Sequence, residues 1–301
     1  MSRICVVGSL NIDLSYAVRT FPVPGETTLA TDRTTAFGGK GGNQAVTVGV
    51  LGGEIAFVGA VGADEAGEKY LAHLRARDVD VAGVAVIPDV DTGGAIVLVD
   101  DTGENLIVVD PGANSVLDAA WARHHVQQAA SAIVLAQLEI PVPVLEAVAE
   151  TLPAETTFVL NPAPMPASPE ALKALLARAD ILVPNRKELG QLVDMREPVT
   201  IAEVHECLRA LHFPRTVVVT LGKDGAVVLE PGQPLVHHPA LSLEPVDTTG
   251  AGDAFCGGLV TALAQGRALH DAVDWAIEVA GASTLIRGAQ LTKDPTNASL
   301  S

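Results

Sequence analysis

The sequence predicts an α/β fold, a mainly parallel β-sheet built from βαβ units with a small second sheet set beside it. Three observations carry this expectation. Short β-branched runs alternate with Ala- and Leu-rich helical stretches through most of the 301 residues, as strands joined by crossover helices do. Apolar residues make up 48% of the chain, ample for a buried core, yet the aromatics are only 6 Phe, 2 Trp and 2 Tyr, so that core is built from Ala, Val, Leu and Ile. Two segments, 12–37 and 92–110, break the alternation and leave no room for a crossover helix.

In chain order, residues 4–7 (ICVV) read as the first buried strand. A secretory leader is a poorer reading, because Asn11 and Asp13 interrupt the apolar run before any small-residue cleavage site. Segment 12–37 is Thr-rich and carries Pro22, Pro24 and Gly25; four glycines then lead into a helix at 43–51. A strand at 55–58 and a helix at 66–76 follow. Residues 92–110 read as a hairpin, GAIVLVD and NLIVVD joined by DTGE. Strands at 132–135, 157–160 and 181–183 alternate with helices at 142–150 and 169–178, the latter opened by Pro169 after Ser168. Thr200 is the expected N-cap of a helix at 201–211. Strands at 216–220 and 226–229 are joined by a glycine turn, and helices at 254–265 and 269–285 close the fold; the polar tail after Thr292 is expected to fray. Residues 1–11, 38–91 and 111–301 would form the α/β domain, and 12–37 with 92–110 a β lid over its strand ends.

With 19 Lys and Arg against 36 Asp and Glu, the formal charge is −17, which argues against a nucleic-acid-binding face. Scarce aromatics likewise leave few platforms for stacking bases. Cys5, Cys207 and Cys256 are scattered, odd in number and without a CxxC pair, as expected for a reducing, cytoplasmic compartment. No charge-free apolar run reaches the roughly 18 residues of a membrane span. The acidity makes one demand: any phosphorylated ligand must meet local donors strong enough to overcome the average field.

The densest signal is Asp247-Thr248-Thr249-Gly250-Ala251-Gly252-Asp253-Ala254-Phe255, ahead of a helical run. Small residues at 250–252 let the backbone turn tightly into the helix and aim its first N–H groups at one point, an anion hole. Asp253 would stand at the positive helix end, where a carboxylate is favoured, so its pKa is expected to be low. Such a group suits phosphoryl transfer, whose loose transition state releases the hydroxyl proton late. An Asp N-cap after a glycine turn is the plain alternative.

The second signal is Phe37-Gly38-Gly39-Lys40-Gly41-Gly42-Asn43-Gln44-Ala45. Dense glycines permit close approach of backbone to a ligand, with Lys40 and Asn43 as donors. It is not a P-loop, since Gly41 follows Lys40 where Ser or Thr would hold magnesium; a flexible loop is the alternative. Weaker signals sit after strands. Asn11 and Asp13 could bind neighbouring sugar hydroxyls or make a turn. Glu139 could reach a ligand or be a loop acid. Asn185 and Glu188 could organise hydrated magnesium or cap a helix. Thr220-Leu221-Gly222 could pass along a nucleotide or simply make a hairpin. His124, His125, His237 and His238 lack metal-ligand spacing and read as surface residues. No GxGxxG follows the first strand, which weakens a dinucleotide-binding reading.

On GGKGGNQA at 38–45 and DTTGAGDAF at 247–255, in that order about 200 residues apart, the chain resembles the PfkB-type, ribokinase-like family of carbohydrate kinases over nearly its whole length. Gly8-Ser9-Leu10-Asn11-Ile12-Asp13, Phe21-Pro22-Val23-Pro24-Gly25 and Leu160-Asn161-Pro162 extend the likeness. The resemblance implies a three-layer α/β/α sandwich with a small β-sheet lid that serves as a homodimer interface. It implies ATP-dependent phosphorylation of a sugar's primary hydroxyl, with D-ribose first and another sugar or a nucleoside as the alternative; a non-catalytic sugar-binding regulator is the reading from another class. It assigns the sugar to Asn11, Asp13, Gly39, Lys40, Gly41, Gly42, Asn43 and Glu139, the base to Asp253, and the anion hole to Gly250, Ala251 and Gly252. Asn185, Glu188, Thr220, Gly222, Gly225 and Gly252 fall in the ATP and Mg²⁺ region, and Ile277 stands where the family often flanks adenine with His or Asn. A monovalent cation, usually K⁺, would sit at Asp247, Thr249, Ser283, Ile286, Gly288 and Thr292.

Overall fold

The computed structural model describes residues 1–294; most of the tail expected to fray lies outside the described residues. In chain order the elements are β1 (Ile4–Val7), β2 (Asn11–Ala17), β3 (Asp32–Gly38), α1 (Lys40–Val50), β4 (Ile55–Gly62), α2 (Glu65–Arg75) and β5 (Val79–Ile87). Next come β6 (Gly93–Val99), β7 (Asn105–Asp110), α3 (Ala119–Ala129), β8 (Ile133–Ala136), α4 (Val142–Thr151), β9 (Thr157–Leu160), α5 (Lys173–Arg178), β10 (Ile181–Leu182) and α6 (Arg186–Leu192). The remainder is α7 (Ile201–Leu211), β11 (Thr216–Thr220), β12 (Ala226–Leu229), β13 (Val236–His238), α8 (Ala251–Ala264) and α9 (Leu269–Ser283).

Nine strands form one sheet in the order β13-β12-β11-β10-β9-β8-β1-β4-β5, parallel from β11 to β5 with β12 and β13 antiparallel at one edge. The run ICVV shows why it is a central strand: Ile4 and Val6 face one apolar layer and Cys5 and Val7 the other, all fully buried. The first layer takes core residues from α1, α2, α8 and α9, the second from α3, α4, α5, α6 and α7, which makes the α/β/α sandwich. Strand order reverses between β8 and β1, and in such sheets the crevice at the carboxyl ends of the strands flanking that reversal is the natural ligand site.

A separate four-stranded sheet, β3-β2-β6-β7, is fed by the two segments that broke the βαβ rhythm. Its β2 and β6 run parallel, and its outer strand β7 exposes Leu106, Ile107, Val108 and Val109.

Several local expectations need correction. The helix expected at 169–178 starts as a 3₁₀ turn, Pro169–Leu172, because the Ser168 hydroxyl bonds the Glu170 carboxylate and caps no helical N–H. The reading of the sequence passed over β5, α3, α6 and β13. In β5 the apolar run is interrupted by Asp80 and Gly83 and the pairing slips beside it, while α3 is polar over most of its surface and buries only Ala122, Val126 and Ala129. Thr200 does cap α7, with Glu203 completing a capping box.

Candidate active site

The carboxyl ends of the parallel strands deliver one residue after another to a single cleft: Ser9 beyond β1, Gln137 and Glu139 beyond β8, Asn161 beyond β9, Asn185 beyond β10 and Thr220 at the end of β11. Two helix starts face them, α1 and α8. Small residues bring these helices close, since a Cβ at Gly257 would lie 2.7 Å from Thr47 Cβ and 2.8 Å from Gln44 O. That approach sets Asn43 and Gln44 against Asp253.

The glycine-rich stretch is ordered helix and no flexible loop. Helix α1 begins at Lys40, three residues earlier than expected, and a Cβ on Gly41 would lie 2.6 Å from the Ser9 backbone nitrogen, one on Gly42 2.0 Å from the Tyr70 hydroxyl. Gly42 N–H bonds Ser9 O. Of the three glycines assigned to the sugar, Gly41 and Gly42 are therefore packed against the end of β1 and against α2, where only a hydrogen fits. Glu139 receives the Lys40 N–H at 2.8 Å and the Ser9 hydroxyl at 2.5 Å.

Gly250, at φ +74°, is the N-cap of α8, whose first residue is Ala251. Ala251 N–H is spent on Thr248 O at 3.2 Å, which removes it from the expected anion hole. The N–H groups of Gly250, Gly252 and Asp253 have no partner among the described residues and belong to the wall of the cleft.

Asp253 is buried, with 7% of its surface exposed. Its Oδ2 accepts from Asn43 Nδ2 at 2.9 Å and its Oδ1 from Gln44 Nε2 at 3.0 Å. The expected low pKa is overturned: burial drives the carboxyl above its ordinary range, against Lys40 and the two amide donors. Burial also acts on the Lys40 ammonium, pulling it down, but Asp253, Glu139 and Glu188 outweigh that and its pKa is raised. Lys40 therefore stays charged beside the acids, the local cation that a chain of net charge −17 requires.

Two connected spaces make up the cleft. One, about 210 Å³, is polar and lined by Lys40, Asn161, Asn185, Glu188 and residues 250–253. The other, about 330 Å³, is mostly apolar, with Ile277, Phe255, Leu241, Leu243 and Ala280 among its walls. They share Thr220, Thr248, Ala251 and Gly252, so a long ligand with an apolar head and an anionic tail would place the tail on the start of α8. Gly222 and Gly225 line the apolar end.

Asn11 is buried and its Oδ1 accepts from Asn114 at 2.8 Å. On the next outward position of β2, Asp13 keeps a buried Oδ1 without a partner among the described residues, and burial with the nearby Glu139 pushes its pKa up to about 6. An orphan acceptor of this kind wants hydroxyl donors. Asn185 and Glu188 form a complete capping box on α6, so helix capping and a place in the polar cleft coexist. Asp247 joins two loops, accepting Thr249 N–H and Gly288 N–H at 2.9 Å each. The carbonyls of Thr249, Ile286 and Gly288 accept no backbone bond among the described residues, an oxygen-rich set of the kind hard cations prefer. Ser283 bonds its hydroxyl back to Ala280 O, and Thr292 is exposed.

Other residues of the site escaped the reading of the sequence. Gln44, Gln137, Asn161 and Gln290 are buried or half-buried amides in one network, and their signal was a place within two residues of Asn43, Glu139, Pro162 and Gly288. The surface assignment of His238 is overturned: it is buried, held by Asp274 at 2.6 Å and stacked on His270.

A model of the pfkB family of carbohydrate kinases matches residues 1–297. A ribokinase of Bacillus subtilis is 36% identical over 293 residues, covering 96% of this chain and 95% of the relative. A ribokinase of Haemophilus influenzae is 33% identical, covering 95% and 93%. Among solved structures, the Arabidopsis thaliana ribokinase complexed with ribose and ATP superposes with a TM-score of 0.85 at 29% identity, over 96% of this chain and 94% of that one.

Proposed function

Because the chain belongs to the pfkB family of carbohydrate kinases, we propose that it transfers the γ-phosphoryl group of ATP to the primary hydroxyl of D-ribose, yielding ribose 5-phosphate and ADP. One observation carries the reading: a carboxylate, an ammonium and three backbone N–H groups without a partner among the described residues line the polar half of the cleft, which opens at Gly252 and Thr220 onto the apolar half.

In this reading ribose lies between β2 and the start of α1, with Asp13 and Asn43 taking its hydroxyls and Lys40 and Glu139 closing the wall behind it. Adenine fills the apolar half against Ile277, and the phosphates run past Thr220 and Gly222 to Gly252. The sugar oxygen attacks phosphorus as the bond to the β-phosphate oxygen breaks, Asp253 accepts the hydroxyl proton, and the amides of Gly250, Gly252 and Asp253 hold the charge on the transferring group. The raised pKa suits Asp253 to its task, since a base works best when its own pKa approaches the working pH. Magnesium, when bound, neutralises phosphate charge, and Asn185 and Glu188 would hold it through its waters. The donor set around Asp247 would hold potassium beside the start of α8. The β3-β2-β6-β7 sheet serves as a lid, and the exposed aliphatic edge of β7 pairs with a second copy, as uncovered strand edges tend to. Three free, buried cysteines suit the cytoplasm.

ADP formation across D-ribose, other pentoses, hexoses and nucleosides tests this, with and without K⁺. Ribose is expected to exceed the rest by about tenfold or more in kcat/KM. Preference for a nucleoside would replace ribose as the substrate, and tight binding without turnover on any acceptor would make the protein a regulator. Light scattering at micromolar concentration should give a dimer; a fully active monomer removes the lid interface.

Asp13 supplies a pH signature. Its carboxylate must be ionised to accept sugar hydroxyls, so the KM for ribose should climb as the pH falls through about 6. A ribose KM constant between pH 5 and 8 would remove Asp13 from the sugar site.

A further inference from the structure

Helices α1 and α2 and the segment after α9 are tied to the Asp253 carboxylate by a chain of directed hydrogen bonds. Gln290 lies at its centre. Its Oε1 is 2.6 Å from His73 Nε2, and its Nε2 donates to Asn43 Oδ1 at 3.0 Å and to the Tyr70 hydroxyl oxygen at 3.1 Å. Asn43 Nδ2 in turn donates to Asp253 Oδ2 at 2.9 Å.

A primary amide has no intrinsic preference for which end faces a neighbour, so each orientation must be imposed. Here every link is imposed by the one before. Arg77 is donor only, and its guanidinium lies 3.0 Å from His73 Nδ1, so Nδ1 accepts and the ring proton sits on Nε2. His73 then donates to Gln290 Oε1, which turns the Gln290 amide nitrogen toward Asn43. Tyr70 gives its own proton to Gly38 O at 2.6 Å, leaving its oxygen free to accept the second Gln290 proton. Both protons are thereby assigned, Asn43 is held with its oxygen toward Gln290, and its nitrogen is left facing Asp253. Burial holds the His73 ring below its ordinary pKa, so this neutral tautomer persists, and Phe37 stacks on it with ring centroids 3.8 Å apart.

We propose that Gln290 is a positioning residue for phosphoryl transfer, which orients the Asn43 amide so that it donates to Asp253 and keeps that carboxylate aimed at the acceptor hydroxyl. The inference rests on Asp253 as the base. Its neighbours explain why the donor matters: Lys40 is the cation facing Asp253, while Glu139 and Glu188 face it as acids, and without Asn43 the buried charge keeps Gln44 as its one amide partner among the described residues. Ala289 packs against Gly250, so the same short segment lies against the anion hole and bonds the Asn43 that donates to the base.

In the Gln290→Glu variant an acceptor faces Asn43, whose amide should reverse and present its oxygen to Asp253. The expected result is a fall in kcat of about tenfold or more, with a rise in the KM for ribose and a KM for ATP within about twofold. His73→Leu, which frees the Gln290 amide to flip, should lower kcat in the same direction, and His73→Gln, whose Nε2 can donate as the ring nitrogen does, should restore it. The proposal is overturned if Gln290→Glu and Gln290→Leu both keep kcat within about twofold, or if His73→Gln loses as much as His73→Leu, which would mark a packing role. Should the Gln290 variants unfold, the His73 pair decides. Failure of the base assignment is distinguishable, because it would show as retained turnover in Asp253→Asn whatever Gln290 does.

Discussion

Asp253→Asn is expected to lower kcat by about 10³-fold while the KM for ribose stays within a few-fold, because the amide keeps the shape of the carboxylate and loses only its capacity to accept a proton. The variant should nevertheless fold at least as well as the parent. The folded pKa of Asp253 is raised by burial, so the neutral form is the one the fold prefers. The stability this group contributes is full below its unfolded pKa and is lost as pH rises through the folded value. Ionising the carboxylate within the fold therefore costs stability, and a neutral amide of the same size avoids that cost, although one of its two donors, Asn43 or Gln44, must turn to meet the new NH₂. Single-turnover kinetics and thermal unfolding measured together check both halves. Turnover near the parental rate would remove Asp253 from the chemistry, and a large drop in Tm would show that its charge holds the structure together instead.

Gly250→Ala should be the second large effect, with kcat reduced about 10²-fold and Tm lowered. Two costs coincide there. The left-handed backbone at φ +74° costs an L-residue about 1–2 kcal/mol. The new methyl would also lie 2.3 Å from Ala289 O, against backbone that cannot give way without moving the Gly288-Ala289-Gln290 segment. Movement of that segment displaces the unpaired N–H groups from the position of the transferring oxygens and loosens Asp247 from Gly288. Gly252→Ala is the informative contrast. A Cβ there meets nothing within 4 Å and sits in the first turn of α8, so Tm should hold or rise. Its methyl projects into the cleft, however, and the KM for ATP should increase. Equal Tm losses in both variants would mean that neither the backbone angle nor Ala289 explains Gly250.

Much of this was legible in the residues. Short β-branched runs such as ICVV and TVVVT named their strands because a strand buried on both faces must be apolar throughout. The two glycine-bearing motifs named the helices they run into, because small residues allow such turns, but each helix starts three residues earlier than expected, at Lys40 and at Ala251. Harder to read were elements whose burial is one-sided or interrupted, such as α3 with its three buried residues. The amides Gln44, Gln137, Asn161 and Gln290 were invisible as a group, since they come from 44 to 290 in the chain and nothing local marks an amide as buried.

What the sequence determined by itself was the fold class and the family, because these follow from residue type and short spacing; the same motifs named the residues proposed as base, ammonium and phosphate-binding turn. The tertiary structure alone decided their electrostatics. The pKa of Asp253 was expected low from the helix end next to it, but it is raised because α1 and the strand ends close over it, and burial is a property of everything around a residue. The same holds for Ala251, whose amide is spent on Thr248, and for the glycines at 41 and 42, which serve close packing. It holds above all for the path from Arg77 through His73 and Gln290 to Asn43, where the direction of each hydrogen bond depends on a partner far away in the chain.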